Sequence, residues 1–203
     1  MANIRLLIVG AGGHGRSLAE AGILHSGIDF IGFLDDMVPT GEKRIGLPVL
    51  GAIAAIQEYR SAFDQVILAI GNNRVRESLM SRLAMDGFKF ATIIHPHAFV
   101  SPSAVIGEGS AVMAGAVIGT EAIIGVGSII NCGAVVDHHA VVEEFGHLGV
   151  NTCMAGGTFL GRGAWMQAGS ALGYGVKVPP WTTLRPCTAV DSSNKFEPTT
   201  AHQ

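Results

Sequence analysis

The sequence is poor in charge and contains no long apolar run. Only 14% of its 203 residues are charged, the formal net charge is −3, and lysine and arginine form no cluster. We therefore expect neither a nucleic-acid partner nor binding to a membrane surface. No apolar stretch is long enough to span a bilayer, and the N-terminus lacks the features of a signal peptide, so no membrane insertion is predicted.

Cysteine is scarce as well. Cys132, Cys153 and Cys187 form an odd set without a CxxC pair. This argues against a disulfide framework and favours a reducing compartment, so we predict a cytoplasmic protein. Cys132 and Cys153 are interpreted as small packing residues. Glycine, in contrast, is abundant at 28 residues, and the hydrophobic content of 48% predicts a sizeable core rather than disorder.

Apolar residues recur with a period of six in the second half of the chain. Every sixth residue from Val100 to Val178 is Val, Ile, Leu or Met. Helices repeat every 3.6 residues and strands every 2, so this period indicates a parallel β-helix whose flat faces each take one hexapeptide. Nearly every anchor is followed four places later by a small residue, and glycine often comes directly after the anchor, where we expect it to permit the turn. Three hexapeptides then make one full turn of a triangular coil.

Residues 1–95 follow a different pattern, which predicts a small Rossmann-like parallel sheet with helices. An apolar strand over 4–9 leads through a glycine-rich loop into a helix that reaches about His25, and a second strand over 30–34 follows. This βαβ order requires a right-handed crossover and parallel strands. Further strands are expected over 45–50, 65–70 and 88–94, with helices over 52–59 and 74–85. The predicted domains are therefore 1–95, a β-helix over 96–190, and a flexible tail over 191–203.

The loop after the first strand has the spacing GxGxxG. Gly10, Gly12 and Gly15 precede a helix, and Asp35 follows at the end of the second strand, where the dinucleotide-binding fingerprint places an acidic residue. Such glycines allow backbone N–H groups and a helix N-terminus to approach a phosphate. NAD, a nucleotide-sugar pyrophosphate and a purely structural turn all remain open at this point. We favour the nucleotide sugar, because the domain is short and a β-helix offers no site for hydride transfer.

Polar residues follow three strands at the edge where parallel sheets bind ligands. His14 is placed to donate to a phosphate or sugar oxygen, and the other residues are expected to recognise ribose or base or to wall the pocket. Ordinary strand-end and turn chemistry is the alternative for the acidic pair and for the 71–73 loop. The candidate substrate-binding residues here are Gly12, Gly13, His14, Gly15, Asp35, Asp36, Gly71 and Asn72.

Histidines interrupt two consecutive hexapeptides of the coil. A neutral imidazole near pH 7 suits a general base, so His138 and His147 are catalytic candidates. The nearby carboxylates of Asp137, Glu143 and Glu144 are candidates to orient the imidazole and stabilise its charged form. His138 and His147 lie on different faces of their own chain and converge only around a corner or across a subunit interface. His139 is expected to point elsewhere and to be structural. Neighbouring histidines are a poor pair of zinc ligands, so no metal site is predicted.

With these residues in view, the chain resembles bacterial sugar-nucleotide acetyltransferases of the left-handed β-helix, hexapeptide-repeat superfamily. The closest group N-acetylates 4-amino-4,6-dideoxy sugars carried on UDP, GDP or dTDP, and sialic acid O-acetyltransferases are close relatives. The resemblance covers residues 4 to about 178. It is carried by the segments IVGAGGHGR, AIGNN, HP.A.VSPSA.IG and IINCGAVVDHHAVVEEFGHLGVNT.

The resemblance implies a homotrimer with active sites between adjacent β-helices. Acetyl-CoA would lie along the groove between two coils, and the α/β domain would hold the sugar nucleotide. His138 matches the general base, Asn131 a polar position near the sugar, and His147 a residue near the thioester or the base. The residues expected along the acetyl-CoA groove are His147, Gly149, Gly156, Ala168, Gly169 and Gly173.

Two departures from the family pattern are visible. Members often carry an acidic residue directly after the catalytic histidine, where this chain has His139, and the usual GVPAK-like end is replaced by WTTLRPCTAV over 181–190. The predicted reaction is acetyl-CoA-dependent N-acetylation of the 4-amino group of a nucleotide-linked sugar. Sugar O-acetylation, a zinc-dependent hydratase and a non-catalytic nucleotide-binding regulator remain as alternatives.

Overall fold

Residues 4–24 and 27–191 are described by the structure, a computed structural model of the chain. They fall into two units, Met1–Pro96 and His97–Gln203. The predicted end of the first helix at His25 and nearly all of the predicted tail lie outside the described residues. Within the described residues, no helix has the length and apolar character needed to cross a membrane.

The N-terminal unit is built on a five-stranded sheet with the order β3-β4-β2-β1-β5. All neighbouring strands are parallel except β3 and β4, so the predicted parallel sheet is confirmed with one antiparallel edge. Strands β1, β2 and β5 read as apolar runs because the sheet is buried where they pair. The strands are β1 (Ile4–Val9), β2 (Ile28–Leu34), β3 (Lys43–Arg44), β4 (Leu47–Gly51) and β5 (Gln65–Leu68).

Three helical segments connect these strands. Helix α1 (Gly13–Ile23) forms the crossover between β1 and β2. A 3-10 helix spans Ile53–Tyr59, and α2 (Asn73–Met85) follows β5. The buried residues of α2 include Leu79, Met80 and Leu83, which gives the helix one apolar face.

Two predicted strands of this unit are wrong in detail. Ile45 was expected to start a strand, but it has φ +46 and forms, with Gly46, the turn of the β3–β4 hairpin. The apolar run over 88–94 is not one strand, since only Phe90 bridges to the sheet, at Val66. The separate strand β6 (Ile93–Ile94) follows. A continuous apolar run does not reveal where pairing with the sheet ends.

The second unit is a three-sided parallel coil of two-residue strands. Parallel partners are three hexapeptides apart, as in the pairing of Val117 with Val135, so three hexapeptides make one turn as predicted. Each face is a ladder of every third strand. The strands are β7 (Phe99–Val100), β8 (Val105–Ile106), β9 (Ala111–Val112), β10 (Val117–Ile118), β11 (Ile123–Ile124), β12 (Ile129–Ile130), β13 (Val135–Val136), β14 (Val141–Val142), β15 (His147–Leu148), β16 (Cys153–Met154), β17 (Phe159–Leu160), β18 (Trp165–Met166), β19 (Ala171–Leu172), β20 (Lys177–Val178), β21 (Thr183–Leu184) and β22 (Ala189–Val190).

The anchors of the repeat form the core of the coil. From Val112 to Val178 every anchor is buried, while Val100 and Ile106, at the first turn, are half-buried. The coil continues two hexapeptides beyond the predicted set, through the buried Leu184 and Val190. The atypical segment over 181–190 therefore forms part of the coil.

We name the three faces by their strands. Face 1 contains β7, β10, β13, β16, β19 and β22, face 2 contains β8, β11, β14, β17 and β20, and face 3 contains β9, β12, β15, β18 and β21. The corner between faces 1 and 2 is called corner A, and the corner between faces 3 and 1 is called corner C. Corner A holds residues 137–140 and corner C holds residues 131–134, so the two corners flank β13.

The glycine that follows an anchor does not make the turn, which corrects the sequence-based expectation. At Gly161 a Cβ would lie 2.5 Å from the backbone nitrogen of Pro180, one turn further along the coil. This glycine is required because two backbones approach closely there. The positive φ angles fall two residues later, as at Gly163. Cys132 and Cys153 are exposed rather than packed, which also corrects their interpretation.

Candidate active site

The sheet of the N-terminal unit brings three of the predicted loops to one edge. Val9 pairs with both Leu34 and Leu68, so β1, β2 and β5 end side by side. The loops that follow them carry Gly10 to Gly15, Asp35 with Asp36, and Gly71 with Asn72. Ligands bind at the carboxyl edge of such sheets, which makes this edge a candidate nucleotide site.

The glycine loop is tight on one side and open on the other. A Cβ at Gly15 would collide with the carbonyl oxygen of Gly10, so only glycine lets α1 start this close to β1. Gly12 and Gly13 have nothing within 4 Å of a Cβ position. No side chain caps the N-terminus of α1. An exposed helix N-terminus next to small residues suits a phosphate group.

The two aspartates hold loops in place. The carboxylate of Asp35 accepts from the N–H of Ala11 at 2.6 Å, and its other oxygen accepts from Met37 and Val38 at 2.8 and 3.0 Å. Asp36 accepts from the N–H of Ile53 at 2.9 Å. Asp35 therefore ties the end of β2 to the glycine loop, a role that the sequence did not predict.

Asn72 is the N-cap of α2. Its side-chain oxygen accepts from the N–H groups of Arg74 and Val75, both at 3.1 Å. This geometry matches the turn-chemistry alternative for the 71–73 loop. Gly71 is exposed, with nothing within 4 Å of a Cβ position.

The half-buried His14 belongs to the glycine loop, and the charge of the buried Arg76 acts on it. Burial lowers the pKa of His14 to about 4, and the positive charge of Arg76 contributes to that lowering. His14 is therefore neutral at pH 7, and its Nε2 atom is buried without a hydrogen-bond partner. Burial also lowers the pKa of Arg76 to about 10, although the guanidinium keeps its charge and donates to the carbonyl of Ile70 at 2.7 Å.

His138 lies on corner A of the coil, directly after β13. Its backbone N–H donates to Asp137 at 2.7 Å, and its side chain is 44% exposed. The ring lies against Gly156, one turn further along, where a Cβ would be 2.6 Å from Nε2. Tyr174, one more turn along, is 72% exposed with its ring centroid 6.2 Å from that of His138. Corner A thus presents an accessible imidazole beside a stretch of backbone without side chains.

His139 does not point away from His138, which corrects the sequence-based expectation. The two Nδ1 atoms are 2.9 Å apart, and the ring planes are nearly perpendicular at 87°. The Nε2 atom of His139 is 2.9 Å from a carboxylate oxygen of Glu121, one turn earlier. A carboxylate and two imidazoles therefore lie in a row along corner A.

The remaining candidates lie on face 3 and on corner C. His147 belongs to β15, is nearly buried and stacks on Trp165 with ring centroids 5.1 Å apart. Its Nε2 is 3.0 Å from the side-chain nitrogen of Asn131, which also donates to the carbonyl of Leu148 at 2.8 Å. The candidate groove residues divide accordingly. Gly156 and Gly173 lie on corner A, while Gly149, Ala168 and Gly169 lie on corner C.

The structure adds three residues that the sequence analysis missed, Arg76, Glu121 and Tyr174. The signal for Glu121 was available, because it precedes His139 by three hexapeptides, which is one turn of the coil. Tyr174 lies two such turns beyond His138. Arg76 sits at helical spacing with Leu79 and Leu83, an unusual place for a charge. In residues 4–24 and 27–191, no three His, Cys, Asp or Glu side chains are grouped so as to hold a metal.

Comparisons with known proteins agree with this geometry. The PglD N-terminal domain family matches residues 5–83. A UDP-N-acetylbacillosamine N-acetyltransferase of Bacillus subtilis (strain 168) is 38% identical over 96 residues, which are 46% of this chain and 44% of that protein. The match thus spans under half the length of that curated relative.

Solved structures match along nearly the whole chain. A variant of GDP-perosamine N-acetyl transferase from Caulobacter crescentus, in which one histidine is replaced by alanine, was solved with CoA and GDP-perosamine. It is 33% identical, with a TM-score of 0.83 over 92% of this chain and 88% of that chain. The acetyltransferase domain of PglB from Neisseria gonorrhoeae FA1090, in complex with acetyl coenzyme A, is 32% identical, with a TM-score of 0.74 over 95% of each chain.

The α/β sheet unit, the three-sided coil of hexapeptides and the similarity to these two transferases place the chain among the hexapeptide-repeat acyltransferases. The solved structures that are similar to this chain identify the group within that class. The chain belongs to the acetyl-CoA-dependent sugar-nucleotide N-acetyltransferases of the left-handed β-helix superfamily.

Proposed function

We propose that this enzyme transfers the acetyl group of acetyl-CoA to the 4-amino group of a nucleotide-linked 4-amino-4,6-dideoxy sugar. The observation that carries the proposal is the likeness, over 92% of the chain, to an N-acetyl transferase solved with CoA and GDP-perosamine. The accessible imidazole of His138 supplies the base that such a reaction needs. UDP, GDP and dTDP all remain candidate carriers.

The chemistry at corner A follows from one proton transfer. The neutral amine attacks the thioester carbonyl, and a C–N bond forms as the carbonyl becomes a tetrahedral oxyanion. His138 accepts the proton that the amine loses. The intermediate then collapses, the C–S bond breaks, and the imidazolium returns the proton to the departing CoA thiolate. Backbone N–H groups are the natural stabilisers of the oxyanion on a corner with few side chains.

The N-terminal unit supplies recognition in this proposal. The pyrophosphate lies against the open face of Gly12 and Gly13 at the start of α1. His14, neutral at pH 7, is a hydrogen-bond partner that adds no charge beside the phosphates. Asp35 keeps its role of holding the loop, and Asp36 lies at the same edge of the sheet.

A homotrimer is part of the proposal, and exposed apolar columns on the coil support it. Phe99 and Val117 point outward on face 1 and are 60% and 37% exposed, and Val105 and Ile123 on face 2 are 59% and 46% exposed. Outward apolar residues flanking corner A are suited to contact with a second copy. Light scattering after gel filtration should give three times the mass of the chain, and a monomer would contradict the trimer.

The division of candidates between corners A and C gives a sharper test of shared sites. His138→Ala and Asn131→Ala should each lose activity on their own. The mixture of the two variants shows whether one active site combines corner A of one protomer with corner C of its neighbour. If it does, co-refolded mixtures form some sites with both residues intact, and activity returns to a measurable fraction of wild type. A mixture no more active than its components would place both residues in one protomer's site.

The direct test of the reaction uses pairs of substrates. Acetyl-CoA is incubated with UDP-, GDP- and dTDP-linked 4-amino sugars, and in parallel with the same nucleotide sugars bearing a 4-hydroxyl. Mass spectrometry should show one added acetyl group on an amino sugar only. Acetylation of the hydroxyl sugar at a comparable rate would instead establish an O-acetyltransferase, and no product with any sugar would overturn the proposal.

A further inference from the structure

We propose that Glu121 and His139 are positioning residues that form a hydrogen-bonded relay to His138 and set which of its ring nitrogens is basic. The inference rests on the proposed function, in which His138 is the base. It starts from two contacts on corner A. Glu121 is 2.9 Å from Nε2 of His139, and Nδ1 of His139 is 2.9 Å from Nδ1 of His138.

The protons of the relay follow from the contacts. An ionised carboxylate only accepts hydrogen bonds, so Nε2 of His139 carries a hydrogen and donates it to Glu121. A neutral imidazole has a single N–H, which leaves Nδ1 of His139 as an acceptor. His138 must then donate from its own Nδ1, and its lone pair resides on Nε2. The relay therefore fixes the tautomer of the base.

The fixed tautomer places the lone pair on Nε2 of a ring that is 44% exposed. The ring packs over Gly156, where a Cβ would lie 2.6 Å from Nε2, so the glycine makes room for the imidazole itself. The other titratable groups around the ring are Asp137, whose oxygen is 3.9 Å from Nε2, and Tyr174, whose ring centroid is 6.2 Å away. Asp137 is beyond hydrogen-bond distance of Nε2. The negative charge of Glu121 polarises His139 and makes its Nδ1 a stronger acceptor. The imidazolium of His138 that forms during the reaction is stabilised by this hydrogen bond.

His139 adopts a backbone conformation that glycine adopts in the following turns of the coil. His139 has φ +58, a left-handed conformation that costs a non-glycine residue about 1–2 kcal/mol. The next two turns of the coil carry Gly157 and Gly175 at this position, with φ +65 and +68. Other non-glycine residues of the coil, such as Phe145 at φ +59, adopt the same conformation. What distinguishes His139 is therefore the contact that its side chain makes with His138.

The test separates the relay from the stability of the coil. His139→Gly should keep or raise the melting temperature, because glycine suits this backbone, yet lower kcat about 10- to 100-fold with KM unchanged. Glu121→Gln should lower kcat similarly and move the acid limb of the kcat/KM profile to lower pH, since the lost carboxylate no longer favours the imidazolium. Glu108→Gln, on an exposed corner glutamate, is the matched control and should match wild type.

NMR spectroscopy tests the relay without a measurement of enzyme activity. In protein labelled with ¹⁵N-histidine, the ring of His138 should show a proton on Nδ1 and none on Nε2 at neutral pH. His139→Gly should shift the proton toward Nε2. The double variant Glu121→Gln/His139→Glu places a carboxylate directly beside Nδ1 of His138, and it should restore both the tautomer and most of the lost kcat.

The possible failures are distinguishable. An unchanged tautomer in His139→Gly, or kcat and pH profile unchanged in both single variants, would overturn the relay. Full activity of His138→Ala would remove His138 as the base and so overturn the proposed function, while the labelled protein would still report on the hydrogen-bonded row itself.

Discussion

The N-terminal unit and the coil place their candidate functional residues by different means. In the sheet unit, loops of unrelated sequence meet because strands β1, β2 and β5 end at one edge. In the coil, every turn repeats the same geometry, so residues one turn apart on a corner lie side by side. Glu121 and His139 are the clearest case, with a carboxylate oxygen 2.9 Å from Nε2. A scaffold of identical turns therefore brings its candidate residues together at a fixed spacing, whereas the sheet unit brings together loops that share no spacing.

The largest expected effect separates catalysis in the coil from recognition in the sheet unit. His138→Ala should lower kcat about 10²- to 10⁴-fold, because the amine loses its base, while KM for the nucleotide sugar stays near wild type. Steady-state kinetics measures both constants. Thr120→Ala, one turn earlier on the same corner, is the control and should behave as wild type. A large rise in KM with kcat intact would assign His138 to binding instead.

The next effect belongs to the sheet unit and depends on pH. The pKa of His14 is about 4 in the folded protein and 6.5 in the unfolded chain, so stability is lost as pH falls from 6.5 toward 4. The loss reaches about 3 kcal/mol, from about 1.4 kcal/mol per pKa unit. Chemical denaturation of wild type and His14→Gln at pH 7 and pH 4.5 gives the difference. Equal pH dependence in the two proteins would contradict it.

A single glycine substitution should destabilise the coil but spare the sheet unit. Gly161→Ala forces a Cβ to 2.5 Å from the nitrogen of Pro180, and the neighbouring turn has to shift. We expect a loss of about 1–3 kcal/mol in the free energy of unfolding, measured by denaturant titration. Gly12→Ala is the matched control, because its Cβ meets nothing within 4 Å and the only expected loss, about 0.5–1 kcal/mol, comes from the poorer N-cap preference of alanine. Equal losses at both sites would refute the close-approach argument.

The smallest expected effect concerns substrate binding rather than stability, and here Gly12 is the sensitive position. Gly12→Ala adds a methyl group to the open face where the pyrophosphate is proposed to lie. KM for the nucleotide sugar should rise about tenfold, equivalent to about 1.4 kcal/mol, with kcat and KM for acetyl-CoA unchanged. Isothermal titration with the nucleotide sugar alone checks the same loss. Unchanged affinity would move the phosphates away from this loop.

The coil was largely predictable from the sequence because its apolar residues recur every six positions. The anchors gave the turn of three hexapeptides, and Leu184 and Val190 continue the same spacing, although the unusual segment over 181–190 concealed them. The position of Glu121 beside His139 also follows from the period once the length of a turn is applied. The role of each glycine did not follow, because the period does not tell close backbone approach from a positive φ.

The sheet unit was less predictable at its functional edge. The strand order and the glycine loop follow from local pattern, but Asp35 binding the N–H of Ala11 depends on how two loops meet in space. The burial of Arg76, and its electrostatic effect on His14, likewise depend on how α2 packs. Neither interaction has a spacing that the sequence displays, since the partners come from segments without a common repeat.

The constant spacing between paired strands governs how the coil can acquire its structure. Each strand docks on the one formed a turn before it, as Val135 does on Val117 and Cys153 on Val135. The stretch of chain to be closed is thus the same at every step, and adding turns does not lengthen it. Assembly can proceed by zippering from any formed turn, and the cost of starting falls on the first closed loop alone.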